Sequence, residues 1–137
     1  MLKRFYVAGS FTNFALVRGI SELLKERGWL HTYDWTVVEA EAEKDKPGIA
    51  VDEINAVVTA DLIIVVISPN KAQRGTHCEI GAALATGKKI LLFAQDESHI
   101  YADGYTCVFH QHPKCQVLIS SDFTPIAIVN AVIADAN

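Results

Sequence analysis

The chain lacks what a membrane protein, a disulfide scaffold or a nucleic-acid binder would need. Its longest uninterrupted apolar run, Leu62 to Ile67, has the length of a strand, far below the roughly 20 residues of a spanning helix, so no membrane partner is expected. The start, MLKRFYVAGSF, places two basic residues before an apolar run that is too short for a secretory signal and turns polar at once. There are only three cysteines, Cys78, Cys107 and Cys115, with no CxxC pair. They read as reduced thiols of a cytoplasmic protein. Basic residues number 12 against 16 acidic ones, for a formal net charge of −4. Phosphate neutralisation requires a basic face, so no nucleic-acid partner is expected. The dinucleotide fingerprint GxGxxG and the P-loop pattern are both missing, since the first turn holds only Gly9. HQHPKC, His110 to Cys115, has metal-ligand residue types without a second ligand pair at a recognised spacing. It reads as a loop with polar aromatics, and neither a metal nor an organic cofactor is expected.

What is present is an ordinary globular composition, 50% apolar and 20% charged over 137 residues, enough for one core and hence a single domain over residues 1–137. KRFYVAG reads as a strand ending in a Gly-Ser turn. Phe14, Val17, Ile20, Leu23 and Leu24 then recur at helical spacing, with Gly28 as the stop. WLHTYDW reads as a short second strand, and the charged segment VEAEAEKD as a solvated excursion. Pro47 suits the first turn of a helix, PGIAVDEINAVVTA. DLIIVVIS has the β-branched continuity of a strand buried on both faces. THCEIGAALATG is the next helix and KKILLFA the next strand. Beyond Gln95, DESHIYADGYT reads as loop, CVFH and QVLIS as short strands, and SDFTPIAIVNAVIADA as a final helix with Ser121 as its candidate cap. Alternating strands and helices predict an α/β fold, a doubly wound parallel sheet between two helical layers.

In such a sheet, ligands bind beyond the carboxyl ends of the strands, near the switch in strand order. That rule selects three turns: Gly9-Ser10-Phe11, Asp34-Trp35 and Ser68 to Thr76. Glu79 follows the last of them, in RGTHCEIGAALATGKKILLF. Two readings of this glutamate compete. Thr76-x-x-Glu79 has the spacing of a capping box, in which the two side chains satisfy free amides at a helix start. Alternatively, Glu79 is a nucleophile. It lies at the ligand-binding edge, Gly75 permits close backbone approach, and Gly81, Ala82, Ala83 and Ala85 leave room beside it. A carboxylate can attack an electrophilic sugar carbon. Trp35 is either a stacking platform for a base or packing beneath the loop. Cys78 reads as a small buried residue, and Arg18 and Arg74 as surface residues.

FYVAGSF, TYDWT, ADLIIVVISP and GTHCEIGAALATGKKILLF together resemble the nucleoside 2-deoxyribosyltransferase family, over about Phe5 to Phe93. The resemblance implies a flavodoxin-like or Rossmann-like three-layer sandwich, a homodimer or tetramer, and cleavage of the N-glycosidic bond of a nucleoside or nucleotide substrate. It implies that Glu79 attacks the anomeric carbon to form a covalent ribosyl-enzyme, which a second base or water resolves. It further implies Tyr6 beside the nucleophile, Gly9, Ser10 and Phe11 at the sugar or base, and Glu53 as an active-site acid with Asp52 as the alternative register. It places Asp34 near the base, and Trp35, Gln73, Gly75 and Thr76 are further candidate substrate contacts on the same turns. Family members often carry an aspartate where this chain has Gln73, and an amide cannot donate a proton as a carboxylic acid does. The Arg-Gly-Gly turn of the related deoxynucleoside-monophosphate glycosidases is also missing.

Overall fold

The computed structural model describes residues 3–38, 45–68, 73–101 and 107–137. The elements run β1 (Arg4–Gly9), α1 (Phe14–Glu26), β2 (Leu30–His31), α2 (Trp35–Val38), α3 (Lys46–Thr59), β3 (Leu62–Ile67), α4 (Arg74–Ala85), β4 (Lys89–Ala94), α5 (Ser98–Tyr101), β5 (Cys115–Ile119) and α6 (Pro125–Ala136). The strands form one sheet in the order β2-β1-β3-β4-β5, and every pairing is parallel. This is the expected doubly wound, flavodoxin-like order. α1 packs on α6, and α3 on α4. The two pairs cover opposite faces of the sheet.

The sheet is the core. All of β3 is buried, as are Phe5 to Ala8 of β1 and Ile90 to Ala94 of β4. Their apolar continuity therefore reflects burial on both faces. α1 turns Val17, Ile20, Ser21 and Leu24 inward, the i, i+3, i+4, i+7 stripe of an amphipathic helix. It stops where Gly28 takes φ 85°, a conformation only glycine adopts cheaply. α3 begins at Asp45, whose side chain accepts from the Gly48 N–H at 3.3 Å, with Pro47 in the first turn.

Several boundaries differ from expectation for local reasons. The second strand shrinks to Leu30–His31, because Asp34 accepts from the Thr36 N–H at 3.0 Å and starts α2 instead. CVFH is not a strand. Val108–Gln111 form a 3-10 turn leading into β5, while QVLIS supplies β5 as expected. Ser98–Tyr101 make a short helix within the expected loop. The cap of α6 is Thr124, not Ser121; its hydroxyl accepts from the Ala127 N–H at 3.3 Å. Most of VEAEAEKD lies outside the described residues. Among the described residues, no helix is long and apolar enough to cross a membrane.

Candidate active site

Strand order reverses between β1 and β3. From β1 the chain builds outward to β2, and from β3 outward to β4 and β5. Helices leaving the two strands diverge to opposite faces and open a crevice at their carboxyl ends. A cleft of about 180 Å³ lies there, lined by Gly9, Ser10 and Phe11 after β1, Trp35 after β2, Glu53 of α3, and Gln73, Gly75, Thr76 and Glu79 at the start of α4. Each of the three turns selected from sequence contributes described residues to the lining, the second through Trp35 and not Asp34.

Glu79 is 7% exposed and Tyr6 wholly buried. The Tyr6 hydroxyl, projecting from the central strand β1, donates to Oε2 of Glu79. A hydrogen bond to a carboxylate is about twice as strong as a neutral one, so a rigid strand fixes the carboxylate's position. The capping-box reading does not survive this geometry. α4 begins at Arg74 with Gln73 as its N-cap, three residues before that reading requires. Thr76 therefore lies inside the first turn and Glu79 at the sixth helical position. Among the described residues the Thr76 hydroxyl caps nothing: its Oγ1 is buried with no hydrogen-bond partner there.

The other lining groups are held by the fold. Ser10 accepts from the Thr12 N–H at 3.1 Å and shapes the 3-10 turn Phe11–Asn13. Phe11 stands 61% exposed at the mouth, stacked with Phe14. Trp35 is 4% exposed, and its indole N–H donates to the Val7 carbonyl at 2.8 Å. It forms a wall with its polar edge tied to β1. The Gln73 amide donates to the Ser68 carbonyl at 3.1 Å, tying the residue before α4 to the end of β3. Of the two acidic registers on α3, Glu53 faces the cleft and Asp52 is exposed. Asp34 is not part of the lining; its carboxylate is bound to the backbone and hydroxyl of Thr36. Arg18 donates to the Thr36 carbonyl at 2.9 Å, and Arg74 is exposed at the helix start.

The glycines and small residues differ in function. A Cβ on Gly9 would stand 2.8 Å from Cγ2 of Val66 and 3.1 Å from Cγ2 of Val17, so this glycine lets β1, β3 and α1 close under the cleft. A Cβ on Gly75 or Gly81 would meet nothing within 4 Å. Gly81 and Ala85 are exposed, and only Ala83 of the small-residue run is buried; the run does not make room beside Glu79 as a set. Cys78 is exposed rather than buried, because it lies on the outer side of α4.

The family profile for nucleoside 2-deoxyribosyltransferases matches residues 5–125. No curated protein sequence matches. Among solved structures, a CMP N-glycosidase of Clostridium botulinum superposes with a TM-score of 0.67 at 22% identity, covering 97% of this chain and 99% of that one. A 2-deoxyribosyltransferase of Leishmania mexicana superposes with a TM-score of 0.55 at 26% identity, covering 76% and 77%. A de novo designed Rossmann 2x3 protein gives 0.56 at 18% identity, with 99% and 90% covered. The designed protein's TM-score falls between those of the two enzymes, so backbone likeness here speaks for the fold and the family profile for the chemistry.

Proposed function

The chain belongs to the nucleoside 2-deoxyribosyltransferase family, and from that premise we propose that it cleaves the N-glycosidic bond of a nucleoside or nucleotide with Glu79 as nucleophile. The observation that carries this reading is the Tyr6–Glu79 hydrogen bond: the Glu79 carboxylate is held by a buried phenol at the wall of the switch-point cleft. In the first step a Glu79 oxygen bonds to C1′ of the sugar as the bond from C1′ to the base nitrogen breaks. The electron pair leaves with the base, which takes up a proton. In the second step, water or another base attacks C1′, and the carboxylate departs. Two displacements at one carbon retain its configuration. A cleft of about 180 Å³ is below the roughly 300–1,000 Å³ of sites that enclose drug-sized ligands, and it suits the sugar, whose C1′ must reach Glu79.

Glu53 is the residue we assign to the departing base. It is the other carboxyl group lining the cleft, and departure requires a proton or a strong hydrogen bond. Gln73 is tied to Ser68 and serves to shape the wall. The test is chromatographic. The protein is incubated with 2′-deoxynucleosides and with nucleoside 5′-monophosphates, with and without a second free base, beside Glu79→Gln. A new nucleoside formed only with the second base identifies a transferase, and free base released without acceptor identifies a hydrolase. Either product is expected to vanish in Glu79→Gln. Turnover that survives this substitution would remove Glu79 from the mechanism.

A further inference from the structure

Away from the cleft, a histidine of α4 meets two residues some thirty positions further along the chain. His77 lies in the first turn of α4, and Cys107 and His110 lie at the 3-10 turn before β5. One ligand atom of each, two imidazole nitrogens and a thiol sulfur, lies within 4.8 Å of the other two. The rings of His77 and His110 stack with centroids 5.5 Å apart.

Two details point to a ligand. His110 is only 5% exposed, and both its ring nitrogens are buried with no hydrogen-bond partner among the described residues. Unsatisfied buried nitrogens are costly, and hydrophobic packing alone would favour an apolar ring there. His77 shows the complementary preparation. Its Nδ1 lies 2.7 Å from the Gln73 carbonyl oxygen. A carbonyl only accepts, so Nδ1 carries the proton and Nε2 the lone pair. A metal-binding histidine is held in just this way, by a hydrogen bond from its other nitrogen to a carbonyl or carboxylate.

We infer that His77, Cys107 and His110 form a site for a zinc-class divalent ion, which staples the turn before β5 to the helix carrying Glu79. Two imidazoles and a thiolate are borderline-soft ligands of the kind zinc takes. At zinc bond lengths of roughly 2.0–2.3 Å, ligand atoms in a tetrahedron stand about 3.4–3.6 Å apart. The trio therefore closes by about 1 Å, which the exposed His77 and half-buried Cys107 can supply by rotation. Three protein ligands leave the fourth position to water. Residues 77 and 79 differ by two positions on a helix, about 200° of rotation, so the ion faces away from the cleft and acts on the position of α4, not on substrate.

The test uses the full chain, stripped with a chelator and titrated with cobalt(II) as a spectroscopic stand-in, then with zinc. The expected result is one equivalent per chain, a thiolate-to-cobalt charge-transfer band displaced by zinc, and a higher Tm with zinc. Cys107→Ser should abolish the band and His77→Gln should weaken binding at least tenfold. Cys78→Ser and His112→Gln, which leave the trio intact, should change neither. Both ligand variants alter accessible side chains, so the buried His110 need not be touched. The inference is overturned if no stoichiometric cobalt binds, if the band survives Cys107→Ser, or if it disappears with Cys78→Ser.

Discussion

Replacing Thr76 by valine separates folding from function by sign. The two side chains have nearly the same shape and the same β-branching, so helix propensity and packing change little. The chemical difference is one hydroxyl. In this protein that hydroxyl belongs to a residue 2% exposed, and its oxygen has no hydrogen-bond partner among the described residues. Burying an unsatisfied hydroxyl costs about 1–3 kcal/mol by mutational data. A methyl in its place relieves part of that and gains apolar burial. Thr76→Val should therefore be more stable than the parent by about 1 kcal/mol in urea denaturation, against the usual trend for polar-to-apolar swaps at functional positions. Thr76 lines the cleft beside Glu79. If its partner is the substrate, turnover in the chromatographic assay should fall about tenfold or more, a loss of roughly 1.4 kcal/mol or more in transition-state binding. Stability lost on substitution would show that the hydroxyl is satisfied within the folded chain. Stability gained with unchanged turnover would show that it meets no substrate.

Three further outcomes follow from the same geometry. Tyr6→Phe should lower stability by about 1.5–3 kcal/mol, the range for a hydrogen bond to a charged group; the cost should shrink in a Glu79→Ala background, and equal costs in both would deny the bond any energetic role. Gly9→Ala forces a Cβ to within 2.8 Å of Val66 in the core, so a loss of about 1–3 kcal/mol is expected, and an unchanged Tm would contradict that close packing. His31 predicts a pH dependence: burial, with Lys25 adding and Asp34 opposing, pushes its imidazole from 6.5 down to about 4. The unfolded chain takes up this proton first as pH falls, so the contribution is complete above pH 6.5 and is lost between pH 6.5 and 4. It amounts to about 3 kcal/mol at most, at 1.36 kcal/mol per pKa unit. Urea titrations at pH 7.5 and 4.5 should show a smaller difference for His31→Asn than for the parent, and an equal difference would rule the histidine out as the cause.

The sheet was legible because its signals are local. β3 and β4 are continuous apolar runs, and each neighbouring helix carries its stripe and stop within a dozen residues. Errors arose where a side chain, not a pattern, sets the boundary. The Asp34 turn cuts β2 short, and Gln73 rather than Thr76 precedes α4. Four sequence letters fit the capping box, but the box depends on where the first helical residue falls, and that is fixed by the turn after β3. The His77–Cys107–His110 cluster left no trace in the sequence, since two of its members are thirty positions apart and its assembly depends on α4 and the turn before β5 packing together. HQHPKC contains one member of the trio, His110, whereas its His112 is occupied locally, its Nδ1 accepting from the Lys114 N–H at 3.0 Å.

The cleft itself distinguishes groups that build the site from groups that use it. Ser10 holds its own turn, the Trp35 indole holds β1, and the Gln73 amide holds Ser68. Such bonds are already satisfied before any ligand arrives, so a substrate gains little by competing for them. Tyr6 donates to one carboxylate oxygen of Glu79, which aims the group. Mutations of the builders should therefore damage stability and activity together, through misplacement of the wall. Mutations of Glu79 and Thr76 should damage activity out of proportion to stability. Measuring both quantities for Trp35→Phe beside Glu79→Gln gives the comparison directly: the indole N–H of Trp35 is buried in its bond to Val7, so Trp35→Phe should lose stability by about 1–2 kcal/mol with activity falling in step, whereas Glu79→Gln should keep most of its stability and lose turnover altogether. If the tryptophan variant instead retains its Tm and loses only turnover, Trp35 contacts the substrate and the division drawn here between wall and working groups is wrong at that position.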